Sequence, residues 1–349
     1  MLAADVHTRQ EQYTRAQIWL RRADQVGGDD PQRKQIVARA FQQVARRNPL
    51  SLQLSLTVRP SNNVNNGAET AEIEIGGLPF VLDPSGVELG GYEASTGVSL
   101  SYRLSETEKH RTSLVGEVFY RRIWLGDDAK LEAPGVASSD FNYGVLITGV
   151  RHQRLIWPEL GPSQATGLIG QSWYGDKGLA RWVELQFSQS VRQEEGRGLR
   201  FGATARSEKR LDNDINSSHS LGFSADATRA TENGGNYSFG IAVKNVWSDS
   251  ATSDHFSTQL RASRRFDDVW GIQPTVRGSI EQRLYTEFTS VVLGRDDLSV
   301  NVGVDLVWPE VSYYGFSPRL SVDYRRTNSN VGIYDRNSFS AGLTAVSRF

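Results

Sequence analysis

Phe339-Ser-Ala-Gly-Leu-Thr-Ala-Val-Ser-Arg-Phe349 alternates apolar with small or polar side chains and stops on an aromatic residue. Successive side chains of a β-strand face opposite sides. Phe339, Ala341, Leu343, Ala345 and Phe349 therefore share one face, and Ser338, Ser340, Gly342, Thr344 and Arg348 the other. The closing strand of a bacterial outer-membrane β-barrel reads this way, with Phe339, Leu343 and Phe349 as the assembly signal; a short alternation in a soluble β-protein also can.

Working outward, the same alternation recurs about a dozen times from residue 50 onward, in segments of about ten residues, the length of a membrane-crossing strand. Leu298, Val300, Val302, Val304, Leu306 and Trp308 oppose Ser299, Asn301, Gly303 and Asp305. Leu50, Leu52, Leu54, Leu56 and Val58 oppose Ser51, Gln53, Ser55, Thr57 and Arg59, and Leu320, Val322 and Tyr324 oppose Arg319, Ser321, Asp323 and Arg325. Charge falls mid-strand on the polar face, at Arg59, Arg103, Arg277, Asp305, Arg319 and Asp323 among others, as a wet lumen requires. Trp124, Trp173, Trp247, Trp270 and Trp308 cluster toward strand ends, which suits rings anchored at headgroup level.

No run of about 18 apolar residues exists, so a helical membrane protein is excluded, whereas a barrel hides its apolar band in alternate positions. With no cysteine there is no disulfide framework and no thiolate metal site. A net charge of −1 without a dense basic run gives no argument for nucleic acid. The expected fold is an antiparallel transmembrane β-barrel of fourteen strands within residues 49–349. Its long connections are 60–93, 123–139, 208–216, 284–296 and 327–337, and its short ones 105–110, 191–196, 230–234 and 265–269. Two places strain the alternation of long and short: 152–164 is long for an inner turn, and 175–178 is tight for an outer loop.

Residues 1–48 are of another kind. Tyr13, Ala16, Ile18, Leu20 and Ala23 recur at helical spacing, and after Gly27-Gly28 the pair Asp30-Pro31 is a helix start. The stripe Ile36, Val37, Ala40, Phe41 and Val44 follows. A pair of short helices is expected, docked on the periplasmic mouth or left from a longer helical array. The opening Met-Leu-Ala-Ala-Asp-Val-His has no charged and apolar leader, which reads as an export signal already removed.

Asn48-Pro49, then Arg59-Pro60-Ser61-Asn62-Asn63-Val64-Asn65, then Ile75-Gly76-Gly77-Leu78-Pro79-Phe80 resemble the opening of the surface lipoprotein assembly modifier (Slam) barrel. Arg265-Phe266-Asp267-Asp268, Gly315-Phe316-Ser317-Pro318-Arg319-Leu320, Ser329-Asn330, Tyr334, Arg336, Gly342-Leu343 and Phe349 follow that family's closing pattern in order. Members usually carry several tetratricopeptide-type repeats ahead of the barrel; this chain has one helix pair at most. The resemblance implies an outer-membrane translocator, a type XI secretion component. It would move lipoproteins or small secreted carrier proteins from periplasm to cell surface, with a client protein, outer-membrane lipid and the barrel-assembly machinery as partners, and no cofactor.

The segment 60–93 is the candidate gate. Asn62, Asn63 and Asn65 offer amide donors and acceptors to a passing backbone, and Gly76-Gly77-Leu78-Pro79-Phe80 makes a stiff apolar turn; a plain surface loop with turn chemistry is the competing reading. Catalysis has little support. His7, His110, His152, His219 and His255 are scattered, no glycine-rich phosphate cradle runs from a strand into a helix, and Asp212-Asn213-Asp214-Ile215-Asn216 lacks the glycine and glutamate of a calcium loop. The alternative to a translocator is a diffusion channel or porin for small solutes, with the charged inner face as its filter.

Overall fold

The computed structural model describes residues 1–26, 30–75, 78–192, 196–232, 234–287, 294–311 and 313–347. β1 Leu50–Ser61 is followed by a small hairpin, β2 Glu72–Ile75 with β3 Leu78–Val81. Then come β4 Gly91–Glu106, β5 His110–Leu125, β6 Tyr143–Trp157, β7 Gly161–Tyr174, β8 Lys177–Arg192, β9 Arg197–Arg210, β10 Ser218–Ala230, β11 Asn236–Ser248, β12 His255–Arg265, β13 Gln273–Tyr285, β14 Arg295–Val307, β15 Phe316–Ser329 and β16 Arg336–Ser347. All but β2 and β3 join one closed antiparallel barrel of fourteen strands in chain order, β1 pairing with both β4 and β16.

The alternation explains the closure. Leu52, Leu54, Leu56 and Val58, then Phe339 and Leu343, then Phe239, Ile241, Leu260 and Ile280 are all exposed on the outer wall, a belt that only lipid can cover. The β1–β16 seam is continuous only where Leu56–Val58 face Leu343–Ala345, resuming at Ser61 with Ser340. Pro60 cannot donate there, and beyond it the Asn62 side chain takes the ladder's place by accepting from the Phe339 N–H at 2.7 Å.

An even strand number puts both barrel termini at one end. Residues 152–157, expected within a long turn, continue β6, which leaves only 158–160 between β6 and β7. Leu155-Ile156-Trp157 breaks the alternation, so this end of the strand has no periodic signature. The short 175–178 connection is real: Gly175 and Asp176 have φ of 54° and 63°, the left-handed pair of a type I′ hairpin.

Where a helix pair was expected there are three helices, α1 Leu2–Arg9, α2 Tyr13–Val26 and α3 Pro31–Arg47, because the chain reverses at Glu11 with φ 58°. A fourth, α4 Asp127–Glu132, lies in the β5–β6 connection. Asp30 caps α3 by accepting from the Gln32 N–H at 3.0 Å. Ala4, Ala16, Leu20, Val37, Phe41 and Val44 form the small core of the first three helices, while Ile36 of the expected stripe is exposed.

Side chains from both sides fasten these helices to the terminal end of the barrel. The Asn48 amide donates to Gln17 Oε1 at 2.8 Å and to Thr14 Oγ1 at 3.2 Å, and its oxygen accepts from the Leu50 N–H. Arg103 of β4 donates to the carbonyls of Arg46, Arg47 and Asn48, which the end of α3 would otherwise leave unpaired. Gln25 accepts from the Tyr314 N–H, and Arg21 lies 5.2 Å from the Phe316 ring centroid. Replacing Arg103 with alanine strips three acceptors at once, and at about 1 kcal/mol per bond the α3–β1 junction loses about 2–3 kcal/mol of local stability. Limited proteolysis should then cut near Asn48 faster than in wild type, with the barrel's heat-modifiable mobility unchanged.

Candidate functional site

Arg59, Arg103, Arg277, Asp305, Arg319 and Asp323 all stand on the inner face of the wall; Arg59, Arg277, Asp305 and Asp323 pair with other wall residues, whereas Arg103 also reaches the carbonyls at the end of α3. Arg59 reaches Glu93 at 2.5 Å, and Arg277 spans to Asp305 at 3.0 Å and Asp323 at 2.5 Å. Arg103 is at the terminal rim, where it also meets Glu106 at 2.5 Å.

Two of these contacts share a plan. Arg277 of β13, Gly303 of β14 and Asp323 of β15 lie in register, and the ion pair crosses above the central glycine. Asp226 of β10, Gly240 of β11 and Arg261 of β12 repeat it, with 2.8 Å between the charges. A Cβ at Gly303 would stand 2.6 Å from Asp323 Oδ1 and 2.7 Å from Arg277 Cζ; at Gly240 it would stand 2.3 Å from Asp226 Oδ1. The middle strand must therefore be bare for charges two strands apart to meet.

A third inward cluster joins Arg206, whose polar-face position the alternation gives, to Trp182, which the sequence reading did not single out. Trp182 is buried with its ring against Gly170 of β7, where a Cβ would come within 2.3 Å, and Arg206 lies 4.2 Å from its ring centroid. Arg206 also pairs with Glu184 at 3.5 Å and with Glu208. The signal was available, because Trp182 alternates in step with Glu184 and Gln186 rather than with Val183 and Leu185. Trp182, Glu184 and Arg206 line a lumen cavity of about 750 Å³ together with Gln53, Glu117 and Arg151.

The distal loop differs from its expected chemistry. Asn63 donates to the carbonyls of Gly67 at 3.0 Å and Asn337 at 3.2 Å and accepts from the Gly67 N–H at 2.8 Å. Asn65 donates to Ser85 and Val87 carbonyls at 3.0 and 2.6 Å and accepts from the Leu89 N–H at 2.9 Å. With the Asn62 oxygen on Phe339, the amides expected to meet a passing backbone are engaged in holding their own loop. Leu78, Pro79 and Phe80 lie in β3 rather than in a turn, and the Leu78 and Phe80 side chains are exposed. Gly76, Gly77 and Phe349 fall outside the described residues.

What the loop packs on is also specific. Val64 and Leu89 join Ile123 and Leu125 of β5, Ala129 of α4, Ala133 and Phe141 in a buried cluster at the distal end. On the opposite flank Glu69 meets Arg326 at 3.4 Å, and its N–H donates to the Asp335 carbonyl. The loop thus bridges the β15–β16 connection and the β5–β6 connection. Partial burial, and secondarily Glu69, raises the Glu88 pKa above the ordinary glutamate value. The resulting penalty on the loop is absent below the ordinary value and complete above the raised one.

The remaining polar candidates are engaged locally. Asp212 accepts two bonds from Arg210, at 2.8 and 2.5 Å, which holds its carboxyl below the usual range. The described residues contain no group of three His, Cys, Asp or Glu side chains that could hold a metal.

Among solved structures, OprD of Pseudomonas aeruginosa is 11% identical, covering 84% of this chain and 94% of its own, with a TM-score of 0.41. OccAB4 of Acinetobacter baumannii is 10% identical over 86% and 98%, at 0.42. A BenF-like porin of Pseudomonas fluorescens Pf-5 is 8% identical over 85% and 98%, at 0.43. A search of curated proteins finds no match. Residues 176–349, from the β7–β8 turn to the end of the chain, match the family described as surface lipoprotein assembly modifier. Through these nine of its fourteen barrel strands, the chain belongs to the surface lipoprotein assembly modifier family of outer-membrane β-barrels.

Proposed function

We propose that this protein is an outer-membrane translocator that carries lipoproteins or small secreted proteins from the periplasm to the cell surface. The family match over residues 176–349 carries this reading. Short turns of such barrels are periplasmic and longer loops extracellular, so the terminal end with its three helices faces the periplasm and the 62–90 loop faces outward. The work needs no catalytic group. Fourteen strands enclose a lumen fit for an extended chain and too narrow for a folded domain.

The inner wall suits transit. Arg59, Arg206, Arg261 and Arg277 are each paired with a carboxylate of the wall, which reduces the uncompensated charge that could hold a passenger. The 62–90 loop acts as the outer gate, and its opening has to break the Asn63 and Asn65 bonds and separate the Val64–Leu89 cluster. The helices of residues 1–48 are the periplasmic approach.

The test is surface display. The full gene is expressed with a candidate lipoprotein in a host lacking both, and intact cells are probed with protease and antibody. Client exposed only when the barrel is present is the expected result. A client that stays protected beside a correctly inserted barrel, together with steady open conductance in a planar bilayer, would instead make the protein a diffusion channel.

A further inference from the structure

On the periplasmic rim of the outer wall, the lipid side rather than the lumen side, the β4–β5 turn and the ends of β5 and β6 build a polar pocket of about 690 Å³. Even-numbered residues of β5 and β6 face lipid, as the exposed Leu114, Val118, Leu146 and Val150 show. His110, Thr112, His152 and Arg154 continue those rows past the apolar belt, with His110 paired to Arg154 and Thr112 to His152 across the strands. Lys109 joins them from the turn.

The pocket is shaped for an anion. The two imidazoles lie nearly parallel, at 27° and 5.9 Å between centroids. Each is fixed through Nδ1 by a threonine hydroxyl at 2.9 Å, His110 by Thr107 and His152 by Thr112. Both Nε2 atoms are left without a protein partner among the described residues. Among the described residues neither Lys109 nor Arg154 has an ion-pair partner, unlike Arg206, Arg261 and Arg277 of the lumen. Glu108 is the only acidic side chain in the pocket lining, set against two permanent cations and two groups that can become cationic.

We infer that this pocket binds the phosphodiester of an anionic phospholipid of the periplasmic leaflet, such as phosphatidylglycerol. Lys109 and Arg154 neutralise the phosphate, the imidazole Nε2 atoms donate to its oxygens, and the acyl chains run up the wall past Leu114 and Val150. A zwitterionic headgroup would bring its own ammonium into the same cationic set. The site belongs to the barrel in its membrane and does not depend on which cargo the lumen carries.

The experiment uses the whole purified protein, delipidated in mild detergent and titrated with phosphatidylglycerol or phosphatidylethanolamine under native mass spectrometry. Phosphatidylglycerol should be retained preferentially. Lys109→Gln with Arg154→Gln should weaken that retention about tenfold or more. Arg264→Gln, elsewhere on the same rim where Arg264 stacks on Tyr237 and Phe266, should leave it unchanged. Heat-modifiable mobility on gels verifies that each variant is folded. Equal retention of both lipids, retention indifferent to the double substitution, or displacement of the lipid by inorganic phosphate at the same concentration would overturn the assignment.

Discussion

Asn63→Ala should release the extracellular loop while leaving the barrel standing. The substitution removes three hydrogen bonds at a buried position, and it strands the Gly67 N–H and the Gly67 and Asn337 carbonyls without partners. A buried polar group left unpaired costs about 1–3 kcal/mol, so the local loss is about 3–5 kcal/mol, enough to open the loop for much of the time. Extracellular protease on intact cells should then cleave within residues 62–90, whereas Thr70→Ala, which loses one exposed bond to the Glu72 carbonyl, should remain as resistant as wild type. In a planar bilayer the loosened barrel should also conduct more. If the alanine variant is as protected as wild type, Asn63 is not the latch.

Gly303→Val should lower the thermal stability of the whole barrel. Any side chain at this position collides with Asp323 and Arg277, so the valine must drive the ion pair apart or distort β14. Overpacking costs about 1–3 kcal/mol, and two lumen carboxylates, Asp305 and Asp323, lose the guanidinium between them. Gly278→Ala supplies the contrast, since its new Cβ meets nothing closer than the Asn301 carbonyl at 3.7 Å. A drop in the temperature of the heat-modifiability transition for the first and none for the second is the expected pair of results; equal transitions would show that the bare strand is incidental.

Legibility in the sequence follows the range of the interaction that decides each feature. Which face a side chain takes is local, and Leu298 to Leu306 announce their strand and its two faces without help. The extent of β6 was harder, because Leu155-Ile156-Trp157 are apolar in succession where the strand leaves the membrane. The helix break at Glu11 was hidden too, since a left-handed glutamate has no composition signal. The charge–glycine–charge bridges depend on register between strands separated by loops, so neither Gly240 nor Gly303 could be told from an ordinary strand glycine. Asn63 and Asn65 show the limit most plainly. Their hydrogen-bonding capacity was readable, but whether it served a passenger or the loop itself was set by carbonyls as distant in sequence as Asn337.

The two-residue Gly175-Asp176 turn has a consequence for the shape of the outer rim. Next to it, α4 and the 62–90 loop build the extracellular edge upward over β4, β5 and β6, while between β7 and β8 the chain turns back at the level of the wall itself. The mouth is therefore a lean-to, high on one side and cut low on the other. Under the proposed translocation, a chain emerging from it would meet open water first at the β7–β8 sill and leave sideways.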